Sequence, residues 1–512
     1  MTDTKPIITH VCISDLHAGA LTSLVTTDET PPLHNGKPTA SIEETFAAAM
    51  CELLGHINQT TIRKPDLVLL GDGLDLSLSP PDRTFNALKG FLTPLYETGS
   101  FSTSMPFIPG NHDHSLWTEA RFDSPQFSQK GFSHVTPAFA SASDVPRSRK
   151  LEELLSGLDT PVRVPLYYPN FGIQSQDENR AIVFHHGHFI ESMYRMMSDL
   201  LGVLSGLKED DLSCEELEKY NGTWIDFGWS TIGDSGLLGK DVSIAYQLLL
   251  TGGASDEFTL RLAQVLKKWL IKNLNLPNTP AVSGGLDMIT AGFMDAIVGK
   301  FSQLERYDYT QHLSASSIEG LRNYISSAVL KQMREELHSR LPVSNPGGGS
   351  GDGHGGMPIS TTVVFGHTHK PFEDQLVVEG FDDPVSIYNT GGWILDTSLM
   401  STVEGASVVF VDDQLNTASL RLFEPPVNVD LNNAHDIKYL GKGAVSSTDP
   451  TPEKDNNLLQ TLREFFEAPA ENRPCWNKFS VAAARAYGAR QDLILEMARK
   501  ADADAKKTGG LV

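Results

Sequence analysis

The chain is poor in cysteine and has no run of apolar residues long enough to cross a bilayer, and each absence excludes a class of protein. Its four cysteines, Cys12, Cys51, Cys214 and Cys475, are scattered through 512 residues without a CxxC pair. That excludes a disulfide scaffold or thiolate metal knuckle and fits free thiols in a reducing compartment. No uninterrupted apolar stretch approaches the roughly 20 residues a membrane helix needs, so no transmembrane segment is expected. The opening MTDTKPIITHVCISD lacks the basic stretch, apolar run and cleavage site of a signal peptide, which makes the cytoplasm the expected location. Positive charge is also scarce. Asp and Glu number 64 against 41 Lys and Arg, a formal charge of −23, with no Lys/Arg cluster. A field of that sign repels polyanions and counts against a nucleic-acid partner.

The rest of the composition, 40% apolar and 21% charged, is that of a globular protein, in a chain longer than one hydrophobic core usually serves. Ile42, Phe46, Ala49, Met50, Leu53, Leu54 and Ile57 recur at spacings of three and four, opened by Ser41 with Glu44 three residues later. That spacing predicts an amphipathic helix with a capping box. Apolar β-type runs stand at 7–14, 66–70, 105–109, 181–186, 361–365 and 385–392, with further strand candidates at 406–412 and 418–423. Strands alternating with helical patterns predict an α/β (α+β) chain. Within 188–343 the pattern becomes mainly helical, as at Leu262, Val265, Leu266, Trp269 and Leu270. The expected organisation is a core whose first part is 1–187, a helical insertion at 188–343, a flexible Gly-rich loop at 344–357, a second core part at 358–428, and a C-terminal helical extension at 429–512. That extension reads as an appendage with helices near 457–467 and 478–506.

Five short motifs follow five of the predicted strands: DLH from Asp15, GDGLD from Gly71, GNHD from Gly110, HHG from His185 and GHTH from Gly366. Loops at the carboxyl ends of strands are where open α/β sheets bind ligands, so neighbouring strands would bring these groups to one place. Asp15 and His17 flank Leu16 and can face the same side of an extended segment. Asp72 carries two oxygens on a short stem and can bridge two cations, with Gly71 permitting close backbone approach. Asn111 offers a carbonyl oxygen, and His186, His367 and His369 offer imidazoles. Mixed nitrogen and oxygen ligation without thiolate suits Mn, Fe, Zn or Ni better than Cu(I) or an iron–sulfur cluster. Any one motif could be a solvated turn, whereas five together, each after an apolar run, point to a metal site.

In this order the motifs resemble the signature of the calcineurin-like metallophosphoesterase superfamily, over about residues 7–392 apart from the insertion. The resemblance implies a four-layer αββα sandwich with two divalent metal ions. Asp15, His17, Asp72 and His369 would hold one ion, and Asp72, Asn111, His186 and His367 the other. It implies that the ions lower the pKa of a shared water, which attacks a phosphomonoester or phosphodiester in line. It also makes His112 the histidine beside the scissile ester, placed to stabilise the equatorial oxygens or protonate the leaving oxygen. Asp113 fills the position whose carboxylate commonly orients that histidine. The doublet His185-His186 departs from the pattern, and His186 is taken as the ligand because it directly precedes the glycine.

Outside that set, Asp75 reads as a carboxylate orienting a ligand, His188 as lying on the metal side within reach of substrate, and Asn389 as lining the site from a neighbouring strand. His185 should face away from His186 and be buried. His10, His114 and His134 read as structural or exposed, His354 as solvated and Cys12 as core packing. The helically spaced Phe189, Ile190, Met193, Met196, Met197, Leu200, Leu201 and Leu204 are either the core of the insertion or a Met-rich wall for an apolar substrate group. The favoured substrate is a phosphoester of a small molecule or lipid headgroup, with the insertion as lid. A nuclease is a second reading, disfavoured by the charge. The third is a metal-stabilised module that binds a protein partner through the insertion or the C-terminal helices.

Overall fold

A computed structural model of the chain describes residues 5–26, 33–34, 37–38, 40–59, 63–76, 79–123, 138–139, 145–195, 197–198, 212–232, 311–338, 358–396, 403–423, 445–451 and 453–507. Among them are twelve strands: β1 (Ile8–Ile13), β2 (Leu33–His34), β3 (Lys37–Pro38), β4 (Asp66–Leu69), β5 (Asn170–Gln174), β6 (Arg180–His185), β7 (Ser360–Phe365), β8 (Pro371–Leu376), β9 (Val385–Thr390), β10 (Ala406–Asp412), β11 (Thr417–Phe423) and β12 (Val445–Ser446). They form two five-stranded mixed sheets, β12-β11-β10-β1-β4 and β5-β6-β7-β9-β8, and the small hairpin β2-β3. The pairs β1–β4, β6–β7 and β7–β9 are parallel. The α/β character expected from the sequence is therefore present.

Alternation along the strands divides the core. Cys12, Val68, Val409 and Val411 of the first sheet share one buried cluster with Ile182, Phe184, Val364 and Tyr388 of the second. Their chain neighbours Val11, Ile13, Leu67, Leu69, Phe410, Val183, Val363, Phe365 and Ile387 belong to a larger cluster that also holds the helices. Successive side chains point to opposite faces, so one face of each sheet supplies the first cluster and the opposite face the second. Each fully buried Leu, Ile or Phe in these layers contributes about 1.5–3 kcal/mol.

The helix Ile42–Ile57 forms with the predicted capping box: Ser41 Oγ accepts from Glu44 N at 3.2 Å, and the Glu44 carboxylate accepts from Ser41 N at 3.3 Å. Its Phe46 ring lies 5.8 Å from Phe91 of the helix Pro81–Glu97 and 5.4 Å from Phe479 of the helix Pro474–Lys507. The latter helix and Asn457–Glu467 match the two expected near the C-terminal end. Trp476 is wholly buried, and Arg490 Nε donates to Ser23 O at 2.9 Å in the loop after β1.

Between β6 and β7 every described element is helical, including Cys214–Ile232, Ala315–Tyr324 and Leu330–His338. Tyr324 Oη donates to Asn170 Oδ1 at 2.9 Å and ties this stretch to β5. The helical pattern at 262–270, the Gly-rich loop, His134, His354, Met196, Leu200, Leu201 and Leu204 lie outside the described residues. Among the described residues no helix is long and apolar enough to cross a membrane. Residues 105–109, expected as a strand, run beside β4 through isolated bridges at Phe107. Leu69 N donates to Pro106 O at 3.0 Å and Ile108 N to Leu69 O at 2.9 Å. Pro106 and Pro109 have no N–H to give, which keeps the ladder short.

Candidate metal centre

The chain leaves the strands through unusual backbone at the predicted ligands. Seven non-glycine residues among those described have positive φ, and five of them are Asp15 (50°), His17 (45°), Asp72 (47°), His367 (71°) and His369 (59°). Such conformations cost of order 1–3 kcal/mol each and persist where the surroundings over-determine them. Here a continued ladder does so: Asp15 N donates to Gly71 O at 3.0 Å, His17 N to Asp72 O at 2.8 Å and Ala18 N to Gly73 O at 3.1 Å. His367 N donates to Asp15 Oδ2 at 2.9 Å and closes the second sheet onto the first. Glycine is required at the first position of two of the motifs. A Cβ on Gly110 would come within 2.2 Å of Asp72 Oδ1, and one on Gly366 within 2.2 Å of Asp15 Oδ2.

All seven predicted ligands come together in the interior. Asp15, His17 and His369 form one group, with His17 Nε2 3.1 Å from His369 Nε2 and His369 Nε2 3.5 Å from Asp15 Oδ1. Asp72, His186 and His367 form another, joined by Asn111: His186 Nε2 is 3.3 Å from Asp72 Oδ2, 3.1 Å from Asn111 Oδ1 and 3.2 Å from His367 Nδ1. Asp72 Oδ2 also stands 3.6 Å from His17 Nε2, between the two groups. Asp15 Oδ1 and Asp72 Oδ2 are buried and accept no hydrogen bond among the described residues. A buried carboxylate oxygen without a donor is costly. Two such oxygens facing imidazole nitrogens are what a divalent cation satisfies, so these residues fit a metal.

The far nitrogens of three of the four imidazoles stand against oxygen atoms, as those of metal-binding histidines do. His186 Nδ1 lies 2.8 Å from Leu70 O, His369 Nδ1 2.5 Å from Asp396 Oδ2, and His367 Nε2 3.4 Å from Glu191 Oε1. Asp396 and Glu191 carry no signal in the sequence, since neither belongs to a motif and their partners are distant or on another element. Burial pushes the Asp72 carboxyl up, but the imidazoles of His186, His112 and His17 outweigh it and hold it well below the ordinary carboxylate range. Burial pulls His186 and His369 down, and the carboxylates beside them, Asp72 for His186 and Asp396 with Asp15 for His369, raise both to about 9.

The partner of His112 differs from the expectation. Asp113 is fully occupied by backbone, accepting from Gly110 N at 2.6 Å and Leu74 N at 3.2 Å. Burial, and then the Asp72 charge, raise its carboxyl to about 7. His112 Nδ1 instead meets Asp75 Oδ1 at 2.9 Å, while its backbone N donates to Asp72 Oδ1 at 2.8 Å. The resemblance favours Asp113, but the turn of GNHD aims that carboxylate at Gly110 N and Leu74 N. Asn389 is likewise engaged with backbone and a neighbouring hydroxyl. Its Nδ2 donates to Gly366 O at 2.8 Å and Thr368 Oγ1 at 3.0 Å, and its Oδ1 accepts from Gly391 N at 2.8 Å. Its side chain shapes the GHTH turn and is used up in doing so.

His188 lies on the metal side, with its ring 5.5 Å from that of His186. Its Nε2 is 2.8 Å from Tyr168 Oη, and its buried Nδ1 has no hydrogen-bond partner among the described residues. Burial and the neighbouring His186 hold its pKa well below the ordinary value. His185 points the other way, stacked 5.3 Å from Phe365, and burial lowers it to about 3. His114 is buried between Asp226 Oδ1 at 2.7 Å and Glu218 Oε2 at 3.3 Å. Both acids lie on the helix Cys214–Ile232. They overcome its burial and raise it to about 10.

No protein-family model matches the chain, and no curated protein matches it. Among solved structures, a dimetal phosphatase from Danio rerio is similar over 81% of this chain and 96% of that one, at 12% identity and a TM-score of 0.29. A likeness of that degree carries no argument, so function rests on the geometry of the site.

Proposed function

We propose that the chain is a two-metal phosphoester hydrolase of the calcineurin-like metallophosphoesterase type, built on a four-layer αββα core. Asp15, His17, Asp72 and His369 hold one ion in this reading, and Asp72, Asn111, His186 and His367 the other. The single observation that carries it is Asp72 Oδ2, which stands 3.3 Å from His186 Nε2 and 3.6 Å from His17 Nε2. One carboxylate oxygen thereby serves both groups. When bound, divalent ions neutralise phosphate charge and lower the pKa of water.

The protein's own residues supply the rest. The Asp75 carboxylate accepts the Nδ1 proton of His112 at 2.9 Å, which orients the ring so that Nε2 faces the reacting phosphate. The His112 ring stands edge-on to His17 at 4.6 Å between centroids. With a second proton on Nε2, the imidazolium form of His112 stabilises charge on an equatorial oxygen or protonates the leaving oxygen. Asp113 holds the loop that carries Asn111 and His112, and burial of the whole cluster keeps bulk water from screening these charges. The stretch 188–343 is proposed as a helical insertion that acts as lid over a small-molecule or lipid-headgroup phosphoester, in a cytoplasmic enzyme.

Hydrolysis of p-nitrophenyl phosphate and its bis ester with added Mn, Fe, Zn or Ni tests the proposal. Turnover should appear with metal and vanish with chelator. No activity with any metal, in a protein shown to hold two ions, would favour the interaction module, and digestion of single-stranded DNA would favour the nuclease.

A further inference from the structure

We infer that Glu191 is a positioning residue for His367, and through it sets the affinity of the ion position formed with Asp72, Asn111 and His186; the inference rests on the two-metal reading. The two histidines of GHTH are held in opposite senses. His369 gives Nδ1 to Asp396 at 2.5 Å and turns Nε2 toward Asp15 Oδ1 at 3.5 Å and His17 Nε2 at 3.1 Å. His367 turns Nδ1 toward His186 Nε2 at 3.2 Å and presents Nε2 to Glu191 Oε1 at 3.4 Å. A neutral imidazole carries one N–H, and the nitrogen opposite a carboxylate retains it. Glu191 thus selects the tautomer whose Nδ1 lone pair faces the ligand group, and Asp396 selects the other tautomer in His369. Outer carboxylates of this kind orient a ligand and raise its basicity.

The position of Glu191 is itself imposed by the fold. Gly187, at φ 122°, turns the chain after the ligand His186. Ile190 N then donates to Gly187 O at 3.0 Å and Glu191 N to His188 O at 3.1 Å, so Glu191 ends a tight turn, 7% exposed. The carbonyl of Ile190 lies against the helix Ala315–Tyr324 at Gly320, where a Cβ would come within 2.1 Å of that oxygen. Only glycine allows the helix so close. The helical stretch between β6 and β7 therefore fixes the turn that carries Glu191, and reaches the ligand group through that side chain. A purely structural Glu191 would affect the stability of the whole chain and leave the two positions alike.

Titration of the metal-free full-length chain with Zn²⁺, in competition with a chelator of known affinity, separates these cases. The unmodified chain should take up two equivalents. Glu191→Met keeps the volume and removes the acceptor, so one equivalent should weaken about 10–100-fold while the other is unchanged. Glu191→Gln retains an oxygen for Nε2–H and should restore most of the lost affinity. Gly320→Ala, which displaces Ile190 without altering any side chain of the site, should weaken the same equivalent. Two equivalents of unchanged affinity in Glu191→Met, or equal weakening of both, would overturn the inference. Uptake of fewer than two equivalents by the unmodified chain would overturn the two-metal reading itself, and the inference with it.

Discussion

Asp15, His17 and His369 stand on turns in which all three residues hold left-handed backbone, whereas of Asp72, Asn111, His186 and His367 only Asp72 and His367 do. The first group is fixed by main chain at Asp15 and His17 and by a side chain at His369. The β1 turn is laced to the β4 turn by Asp15 N to Gly71 O and His17 N to Asp72 O, and Asp396 holds His369 at 2.5 Å. The second group is fixed less by such a ladder: one main-chain oxygen, Leu70 O, holds His186 at 2.8 Å, and the Glu191 side chain faces His367 at 3.4 Å. It also borders the stretch between β6 and β7, through Glu191 and through the Tyr194 ring, 5.2 Å from His367. Strained backbone persists where many contacts agree, so the first group belongs to the rigid frame of the sheets. The second adjoins the part of the chain that would choose the substrate.

Removing what the two groups share should have the largest effect. Asp72→Asn keeps an acceptor for His112 N, which donates to Oδ1 at 2.8 Å, but loses the charge that faces both groups. Metal analysis should find neither position filled at concentrations that saturate the unmodified chain, and turnover should fall to background. An Asp72→Asn protein with one ion bound at full affinity would show that the groups are independent. Next in size, His112→Ala should retain both ions and lose about 10²–10⁴-fold in turnover. Asp75→Asn should lose less, about 10–100-fold, with metal content unchanged. Asp113→Asn should mainly lower stability, since its oxygens hold Gly110 N and Leu74 N. The reverse order, with Asp113→Asn harming turnover more at equal stability, would return the orienting role to Asp113. Asp396→Asn should weaken the equivalent that Glu191→Met spares.

The motifs were legible because each is a few residues of metal-binding chemistry directly after an apolar run, and the carboxyl ends of parallel strands are where ligand-binding loops gather. The resemblance gave Asp113 the orienting role, whereas its carboxylate accepts from Gly110 N and Leu74 N and His112 meets Asp75. Asp396 and Glu191 were illegible because what makes them matter is a nitrogen atom brought to them by tertiary structure. His114 reads as structural or exposed; it is buried, and its acids lie on a helix about a hundred residues further along. Among strands, β8 escaped notice: PFEDQL opens on proline, alternates poorly and lies at the edge of its sheet, where polar residues are tolerated. Residues 105–109 erred in the other direction, since an apolar run suggested a full strand and two prolines limited it.

The smallest expected effect lies in the metal-free chain, and its sign separates proton binding from metal binding at the same imidazoles. Asp72 raises His186, and Asp396 with Asp15 raises His369, each from 6.5 to about 9 against the pull of burial. A group whose folded-state pKa is raised contributes stability fully present below its unfolded pKa and lost as pH rises through the folded value. With chelator present, the unfolding midpoint should therefore drop by a few degrees between about pH 6.5 and pH 9 from these two groups. Metal uptake must run the opposite way, because an ion displaces the protons that these nitrogens carry. Affinity for Zn²⁺ should rise with pH over the same interval, with protons released into weak buffer. A midpoint in chelator that climbs across that interval would mean that the imidazoles are already neutral, so that the carboxylates between the two groups do not hold them charged when no ion is bound.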